Sequence, residues 1–221
     1  MLLGALLVAV FFALAVGVSL DLTDPVDLAI IGAVQSPELR GLLSPLRPIT
    51  ELGSTWAVTA VAAITLFVGA AIGPWLHGVI GALTIGLAAL GNSALKAAIA
   101  RERPEVLEPI ITEHGFSFPS GHSALGMVGY GVLAIIVSRS RLPPPVRRAI
   151  IVGLVILIGL IGLSRPWLGV HYPTDVLAGW AAGGVIVLAY ARITRRVSLE
   201  PAEGAADEDP AAPRSDRPVA G

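Results

Sequence analysis

Three short stretches of the 221-residue sequence hold polar side chains that could bind an anion and attack it. In the first stretch, Lys96 and Arg103 stand seven residues apart, and Arg103 directly precedes Pro104. Two turns of a continuous helix would place both cations on one face. Arg165, from the third stretch, would complete a cluster of three cations, and guanidinium groups match phosphate oxygens bidentately. We therefore expect a phosphate-binding cradle.

The second stretch reads Pro119-Ser120-Gly121-His122 and precedes a long apolar run. Pro119 suits the first turn of a helix, so the amides near Ser120 and Gly121 would lack helical partners. A helix N-terminus with free amides binds anions, and glycine permits close approach of the backbone. We expect His122 to supply a proton to a leaving oxygen as a general acid.

The third stretch runs from Ser164-Arg165 to His171 and Asp175. Pro173 marks a helix start between the last two residues, which are four apart. The carboxylate could then accept the Nδ1 proton of the imidazole, leaving Nε2 as an unprotonated nucleophile. The three stretches together predict phosphoryl transfer in which cations supply the charge stabilisation that Mg²⁺ supplies elsewhere. We expect no metal ion and no other cofactor.

Each element alone also has an ordinary structural explanation. Basic residues at span ends often anchor a helix at the membrane interface, Ser-Gly is common in helix caps, and Asp175 could complement a helix dipole. His77 and His114 fit no catalytic spacing and are interpreted as structural or interfacial. The remaining charges between the first two stretches are expected to form a solvated loop face: Arg101, Glu102, Glu105, Glu108 and Glu113.

The elements that position these residues must be membrane helices. The chain is 54% hydrophobic and only 14% charged, with a mean hydropathy of +0.78. A water-soluble surface could not carry this composition without large apolar patches. The net charge of −1 excludes the basic excess of a nucleic-acid binder, and the absence of cysteine excludes disulfides and thiolate chemistry.

Apolar runs predict an all-α fold, a polytopic bundle of six transmembrane helices. A cleaved signal peptide is the alternative for the first run, but it lacks a basic residue near its start, so a retained helix is expected. The six predicted spans cover residues 1–20, 54–73, 76–96, 119–138, 147–164 and 174–192.

Basic residues predict the orientation of the bundle in a cell membrane. Arginines flank the loop between the fourth and fifth spans and follow the sixth, so these segments and both termini are expected to be cytoplasmic. All three polar stretches then lie at the extracytoplasmic ends of spans. Residues 1–197 are predicted to form the membrane domain, and residues 198–221 a disordered cytoplasmic tail. Within the domain, residues 21–51 are predicted to form one or two short interfacial helices, which either roof the site or simply pack.

The three stretches resemble the tripartite signature of the type 2 phosphatidic acid phosphatase superfamily. The matching blocks are Lys96-x6-Arg103-Pro104, Pro119-Ser120-Gly121-His122 and Ser164-Arg165-x5-His171-x3-Asp175. The resemblance implies that His171 attacks phosphorus to form a phosphohistidine, that Asp175 polarises it and that His122 protonates the leaving group. It further implies that Lys96, Arg103, Ser120, Gly121 and Arg165 hold the phosphoryl oxygens.

The resemblance implies a metal-independent phosphatase that acts on a membrane lipid phosphate or diphosphate, with the bilayer as its surroundings. Phosphatidate, phosphatidylglycerophosphate and polyprenyl diphosphate all offer the same terminal phosphate. A lipid phosphotransferase is an alternative within the enzyme class. A non-catalytic lipid-headgroup binder or transporter is the alternative outside it, but such a protein would need the cations and not the two histidines.

Overall fold

The computed structural model describes residues 1–42, 45–72, 75–105, 111 and 113–197. Over these ranges the chain forms α-helices and no strand, which confirms the all-α prediction. The predicted tail 198–221, Glu108 and residue 73 lie outside the described residues. The helices are α1 Leu2–Ser19, α2 Asp24–Val34, α3 Pro37–Leu42, α4 Leu46–Glu51, α5 Thr55–Ile72, α6 Trp75–Ile99, α7 Gly121–Ser138, α8 Pro144–Trp167 and α9 Pro173–Val197.

Among the described helices, five are long and apolar enough to cross a membrane: α1, α6, α7, α8 and α9. The chain is therefore a multi-pass membrane protein. The remaining predicted span corresponds to α5, an apolar helix that is described over a shorter length, so the count of six stays a prediction. Exposed Trp56 and Trp75 lie at the starts of α5 and α6, positions typical of the aromatic belts at membrane surfaces.

Several helices extend beyond the predicted spans because an apolar run marks only the hydrocarbon region, whereas backbone hydrogen bonding continues into the interface. Helix α6 runs to Ile99 and α8 runs to Trp167. Lys96, Arg165 and Asp175 therefore belong to helical turns rather than to loops.

Two predicted helix ends were wrong. Helix α6 stops before Arg103, because Ala100 adopts a left-handed φ of 53° that turns the chain away, so Lys96 and Arg103 do not share a helical face. Helix α7 begins at Gly121 with Ser120 as its N-cap, which leaves Pro119 just outside the helix. The cause is that the Ser120 hydroxyl accepts a hydrogen bond from the Ser123 amide, 3.4 Å away, and so fixes the first turn there.

Helix α7 lies at the centre of the bundle and is the most buried of the candidate spans. It packs against α9 through Gly179 and Gly183, where an added Cβ would lie 2.8 Å from the carbonyl oxygens of Ser120 and Ala124 respectively. Glycines at this spacing let two membrane helices approach to backbone contact. We call this α7–α9 contact the glycine seam. It fixes the start of α9 against the start of α7.

The described part of residues 21–51 forms three short helices, α2 to α4, rather than the one or two predicted. Helices α2 and α4 pack against the end of α8, and α2 also contacts α9. Asp27 of α2 and Thr50 of α4 are fully buried in these contacts. The segment thus contributes buried polar groups to the end of the bundle where the predicted site residues lie.

Candidate active site

The three polar stretches converge on one cavity of about 410 Å³. Its lining includes five of the predicted site residues: Lys96, Arg103, Gly121, His122 and His171. The other three, Ser120, Arg165 and Asp175, are fully buried just behind its wall. The ends of α6, α7, α8 and α9 that surround this cavity are called the site end of the bundle below.

His171 and Asp175 form the pair that their spacing predicted. The His171 Nδ1 lies 3.3 Å from Asp175 Oδ2, and both side chains are buried. The Nη1 of Arg103 lies 3.2 Å from His171 Nε2. Because a guanidinium group can only donate, Nε2 must accept and the ring proton must sit on Nδ1. This assignment leaves a lone pair on Nε2 at the cavity.

Burial lowers the pKa of His171 to about 4, although the hydrogen bond to Asp175 opposes this shift. The imidazole is therefore neutral at neutral pH. A neutral ring whose lone pair faces the cavity is the form that a nucleophile requires.

Arg103 and Arg165 are held rigidly by neutral acceptors. Arg103 donates from Nη1 to the Val170 carbonyl at 2.7 Å and from Nε to the Gly115 carbonyl at 2.9 Å. Arg165 is fully buried and donates from Nη1 to Thr50 Oγ1 of α4 at 2.6 Å. These contacts orient both guanidinium groups before any ligand arrives.

Lys96 reaches the same region from the last turn of α6. Its Nζ donates to the Phe116 carbonyl and, at 3.2 Å, to the Ser117 carbonyl. The ammonium group therefore ties α6 to the segment that leads into α7, while its side chain lines the cavity.

A carboxylate already occupies the cationic cradle. Glu113 bridges the two arginines: its Oε1 accepts from Arg165 Nη2, and its Oε2 lies 3.1 Å from Arg103 Nη1. The same Oε2 is 3.8 Å from His171 Nε2. Burial alone would raise the pKa of Glu113, but the guanidinium of Arg165 and the neighbouring cations lower it to about 2. The cradle thus binds an anionic group beside His171.

The start of α7 supplies the second histidine and the first-turn amides. His122 packs closely on Gly53, where an added Cβ would lie 3.0 Å from His122 Cδ2. The Ser120 hydroxyl accepts from Ser123 Oγ at 3.0 Å, and the Ser120 amide donates to the Asp175 carbonyl at 3.0 Å. Ser120 therefore caps α7 and joins it to α9, and its hydroxyl is directed at its own helix.

The sequence reasoning missed four residues of this region: Asp27, Thr50, Arg101 and Glu113. The prediction of a solvated loop face was wrong for two of them, because the Arg101 side chain is only 8% exposed and Glu113 bridges two arginines. Glu102 and Glu105 are exposed as expected. The sequence offered one signal for Arg101. It is one of the basic residues at the site end, and no predicted function explained its presence there.

The sequence of this chain is similar to those of known proteins. The PAP2 superfamily model matches residues 77–198, which include all three stretches. The chain is 32% identical over 179 residues to phosphatidylglycerophosphatase B of Bacillus subtilis, covering 78% of this chain and 85% of that protein. It is 29% identical over 174 residues to decaprenylphosphoryl-5-phosphoribose phosphatase of Mycobacterium tuberculosis, covering 72% and 86% respectively.

A solved structure shows the same architecture. The crystal structure of a transmembrane PAP2 type phosphatidylglycerolphosphate phosphatase from Bacillus subtilis superposes on this chain with a TM-score of 0.76 at 27% identity. The superposition covers 90% of this chain and 100% of that one.

Proposed function

Because the chain belongs to the PAP2 superfamily, we propose that it is a phosphatase that removes the terminal phosphate of a membrane lipid phosphate or diphosphate. The relatives reported above carry the names of lipid phosphate phosphatases. The single observation that carries the proposal is the position of His171 Nε2. Its lone pair, which accepts from Arg103, faces a cavity beside which Arg103 and the buried Arg165 already bind a carboxylate.

The proposed reaction has two steps. In the first, the Nε2 lone pair of His171 attacks phosphorus while the bond to the leaving oxygen breaks, and His122 gives that oxygen a proton. The resulting phosphohistidine carries a positive ring, which the Asp175 carboxylate stabilises through the Nδ1 proton. In the second step water attacks phosphorus and gives its proton to His122. The nitrogen–phosphorus bond then breaks, returning the electron pair to Nε2 and releasing inorganic phosphate.

The cations stabilise the charge that spreads over the phosphoryl oxygens during both steps. Lys96, Arg103 and Arg165 are proposed to contact these oxygens, with the first-turn amides of α7 at Gly121. The phosphoryl group and the Glu113 carboxylate cannot both bind the two arginines, so substrate binding requires Glu113 to leave this position. No step of the proposed mechanism needs a metal ion.

We further propose that the cavity faces the outside of the cell membrane. The support is the distribution of basic residues. Arginines that have no partner in the site reaction flank the far ends of α7, α8 and α9, as the positive-inside rule expects of cytoplasmic ends. A reporter enzyme fused after Arg196 should read cytoplasmic, and an extracytoplasmic reading would overturn this orientation.

Phosphate release from purified protein in detergent tests the activity. The wild-type chain should release inorganic phosphate from at least one of phosphatidate, phosphatidylglycerophosphate and polyprenyl diphosphate with EDTA present. His171→Ala should abolish turnover, and His122→Ala should reduce kcat by about 10²- to 10⁴-fold. Glu105→Ala is the control, because that side chain is exposed and does not line the cavity. Wild-type turnover by His171→Ala would refute the proposed nucleophile.

A further inference from the structure

Arg101 is a buried cation that the proposed reaction does not use directly. It follows the end of α6, where the left-handed φ of Ala100 turns the chain toward α9. Its guanidinium carbon lies 3.8 Å from the centroid of the Tyr172 ring, and its side chain is only 8% exposed. The guanidinium is thus fixed beside the loop that carries His171.

Arg101 connects the site to helix α2 through three carboxylates. Its Nη1 donates to Asp175 Oδ1 at 2.8 Å. Its Nη2 donates to Asp24 Oδ1 at 2.7 Å and to Asp27 Oδ2 at 2.9 Å. Asp27 and Asp175 are fully buried, whereas the Asp24 side chain is 41% exposed. One cation therefore contacts two buried carboxylates, each of which would be more costly to keep ionised without it.

Because Arg101 contacts Asp175, the two carboxylate oxygens of Asp175 have different hydrogen-bond partners. Oδ1 accepts from Arg101, so Oδ2 is left for the Tyr172 amide at 2.9 Å and for His171 Nδ1 at 3.3 Å. This division sets the rotation of the carboxylate and keeps it ionised. Both properties determine whether His171 holds its proton on Nδ1 and presents Nε2 to the cavity.

Asp27 fixes the other side of the same arrangement. Its Oδ1 accepts from the Thr174 amide at 3.0 Å, and its Oδ2 accepts from the Thr174 hydroxyl as well as from Arg101. Because Thr174 directly precedes Asp175, these bonds hold the first turn of α9 against α2. The short helices of residues 21–51 thereby reach the nucleophile through a continuous chain of hydrogen bonds.

We propose that Arg101 is a positioning residue for the His171–Asp175 pair, and that Asp27 anchors it from α2. This inference rests on the phosphatase function proposed above. Arg101 touches neither the cavity cradle nor its bound carboxylate. It acts on the transition state through Asp175 and leaves ground-state binding of the phosphate unchanged.

Steady-state kinetics of Arg101→Gln test the inference. The expected result is a fall in kcat of about 10- to 100-fold, as for other residues that orient a catalytic ligand, with KM unchanged within about twofold. Arg101→Lys should recover part of the loss, because an ammonium keeps the charge but cannot span Asp175 and Asp27 together. Arg47→Gln is the control, since Arg47 is exposed and also lies in residues 21–51. A wild-type kcat for Arg101→Gln would overturn the proposal.

A double-mutant cycle separates positioning from general destabilisation. Once Asp175 is changed to Asn, the further change Arg101→Gln should not lower the residual kcat, because Arg101 acts through Asp175. If Arg101→Gln lowered kcat by the same factor in the Asp175→Asn background as in the wild type, the proposal would be contradicted. If Arg101→Gln does not fold, Asp27→Asn gives the same cycle, and unchanged kcat in that variant would refute the role of α2. Failure of the phosphatase function itself is distinguishable, because then the wild-type protein releases no phosphate.

Discussion

The two ends of the helix bundle use arginine in opposite ways. At the end far from the cavity, Arg139 donates to the Thr194 hydroxyl at 2.6 Å and to the Ala191 carbonyl at 2.7 Å, both on α9. At the site end, Arg103 and Arg165 also bind neutral acceptors, but each keeps a donor for the same Glu113 carboxylate. The arginine–carboxylate ion pairs of Arg101, Arg103 and Arg165 lie at the site end.

The difference shows how a structural cation can be told from a functional one in this protein. Arg139 ties two helix ends together and needs no anion, because its partners are neutral groups of α9. Arg103 and Arg165 approach the same carboxylate, and an anion between them offsets their mutual repulsion. A cluster of fixed cations with one exchangeable anion is the arrangement that a phosphate site requires.

The largest expected difference in activity between the two ends of the bundle comes from exchanging an arginine for lysine at each end. Arg165→Lys should lower kcat/KM by about 10- to 100-fold, because an ammonium cannot contact Thr50 and a phosphoryl oxygen with the fork of a guanidinium. Arg139→Lys should stay within about twofold of wild type, since only neutral groups are affected. Phosphate-release assays on both variants check this contrast. Equal losses at the two ends would show that the cations differ only in location.

A smaller effect is expected from neutralising the carboxylate in the cradle. Glu113→Gln should lower the inhibition constant of inorganic phosphate by about 3- to 10-fold, because the amide competes less strongly for the two arginines. Competitive inhibition assays measure this constant. Glu105→Gln is the matched control, because Glu105 is an exposed carboxylate of the same connection. An unchanged or higher constant for Glu113→Gln would mean that Glu113 does not compete with phosphate.

The smallest effect is the expected change in kcat/KM when the pH is lowered to mildly acidic values. An exposed histidine with a pKa near the ordinary 6.5 would be about nine-tenths protonated at pH 5.5, whereas burial lowers the pKa of His171 to about 4. The free nucleophile should therefore persist, and kcat/KM should fall by less than about twofold from this group between pH 7 and pH 5.5. A pH profile with its acid limb centred near pH 6.5 would contradict this expectation.

The free energy of unfolding should also depend on the protonation of His171. Between pH 6.5 and about 4 the unfolded chain binds a proton on His171 that the folded chain does not bind. The free energy of unfolding therefore decreases as the pH falls through this window. Thermal unfolding in detergent at several pH values measures the trend.

Local patterns in the sequence were sufficient for much of the fold and for five of the residues that line the cavity. The apolar runs gave the all-α class, and short spacings such as that of His171 and Asp175 identified pairs that meet within one turn. Ser120 was also found by its spacing, but its hydroxyl caps α7 in the structure. Its predicted contact with phosphate is untested.

Partners distant in the sequence left no such pattern. Arg101 and Asp175 are 74 positions apart, and Arg165 and Thr50 are 115 apart. The first pair forms because the chain turns at Ala100 toward α9, and the second forms because α4 packs against α8. The end of α6 was equally hidden, because the residue that turns the chain there is an alanine, which normally favours a helix. Tertiary contacts, rather than local propensity, decide these features.

The glycine seam also separates the parts of the site that can vary from those that cannot. His122 and His171 are carried by backbone segments that meet at Gly179 without an intervening side chain. The close contact of α7 and α9 at this glycine therefore sets the spacing between the segments that carry His122 and His171. The opposite wall of the cavity consists of small and medium side chains of α5 and α6, among them Thr55, Ala89 and Ser93. Substitutions on this wall would therefore change the width of the cavity that a lipid could occupy, while the distance between His122 and His171 stays constant.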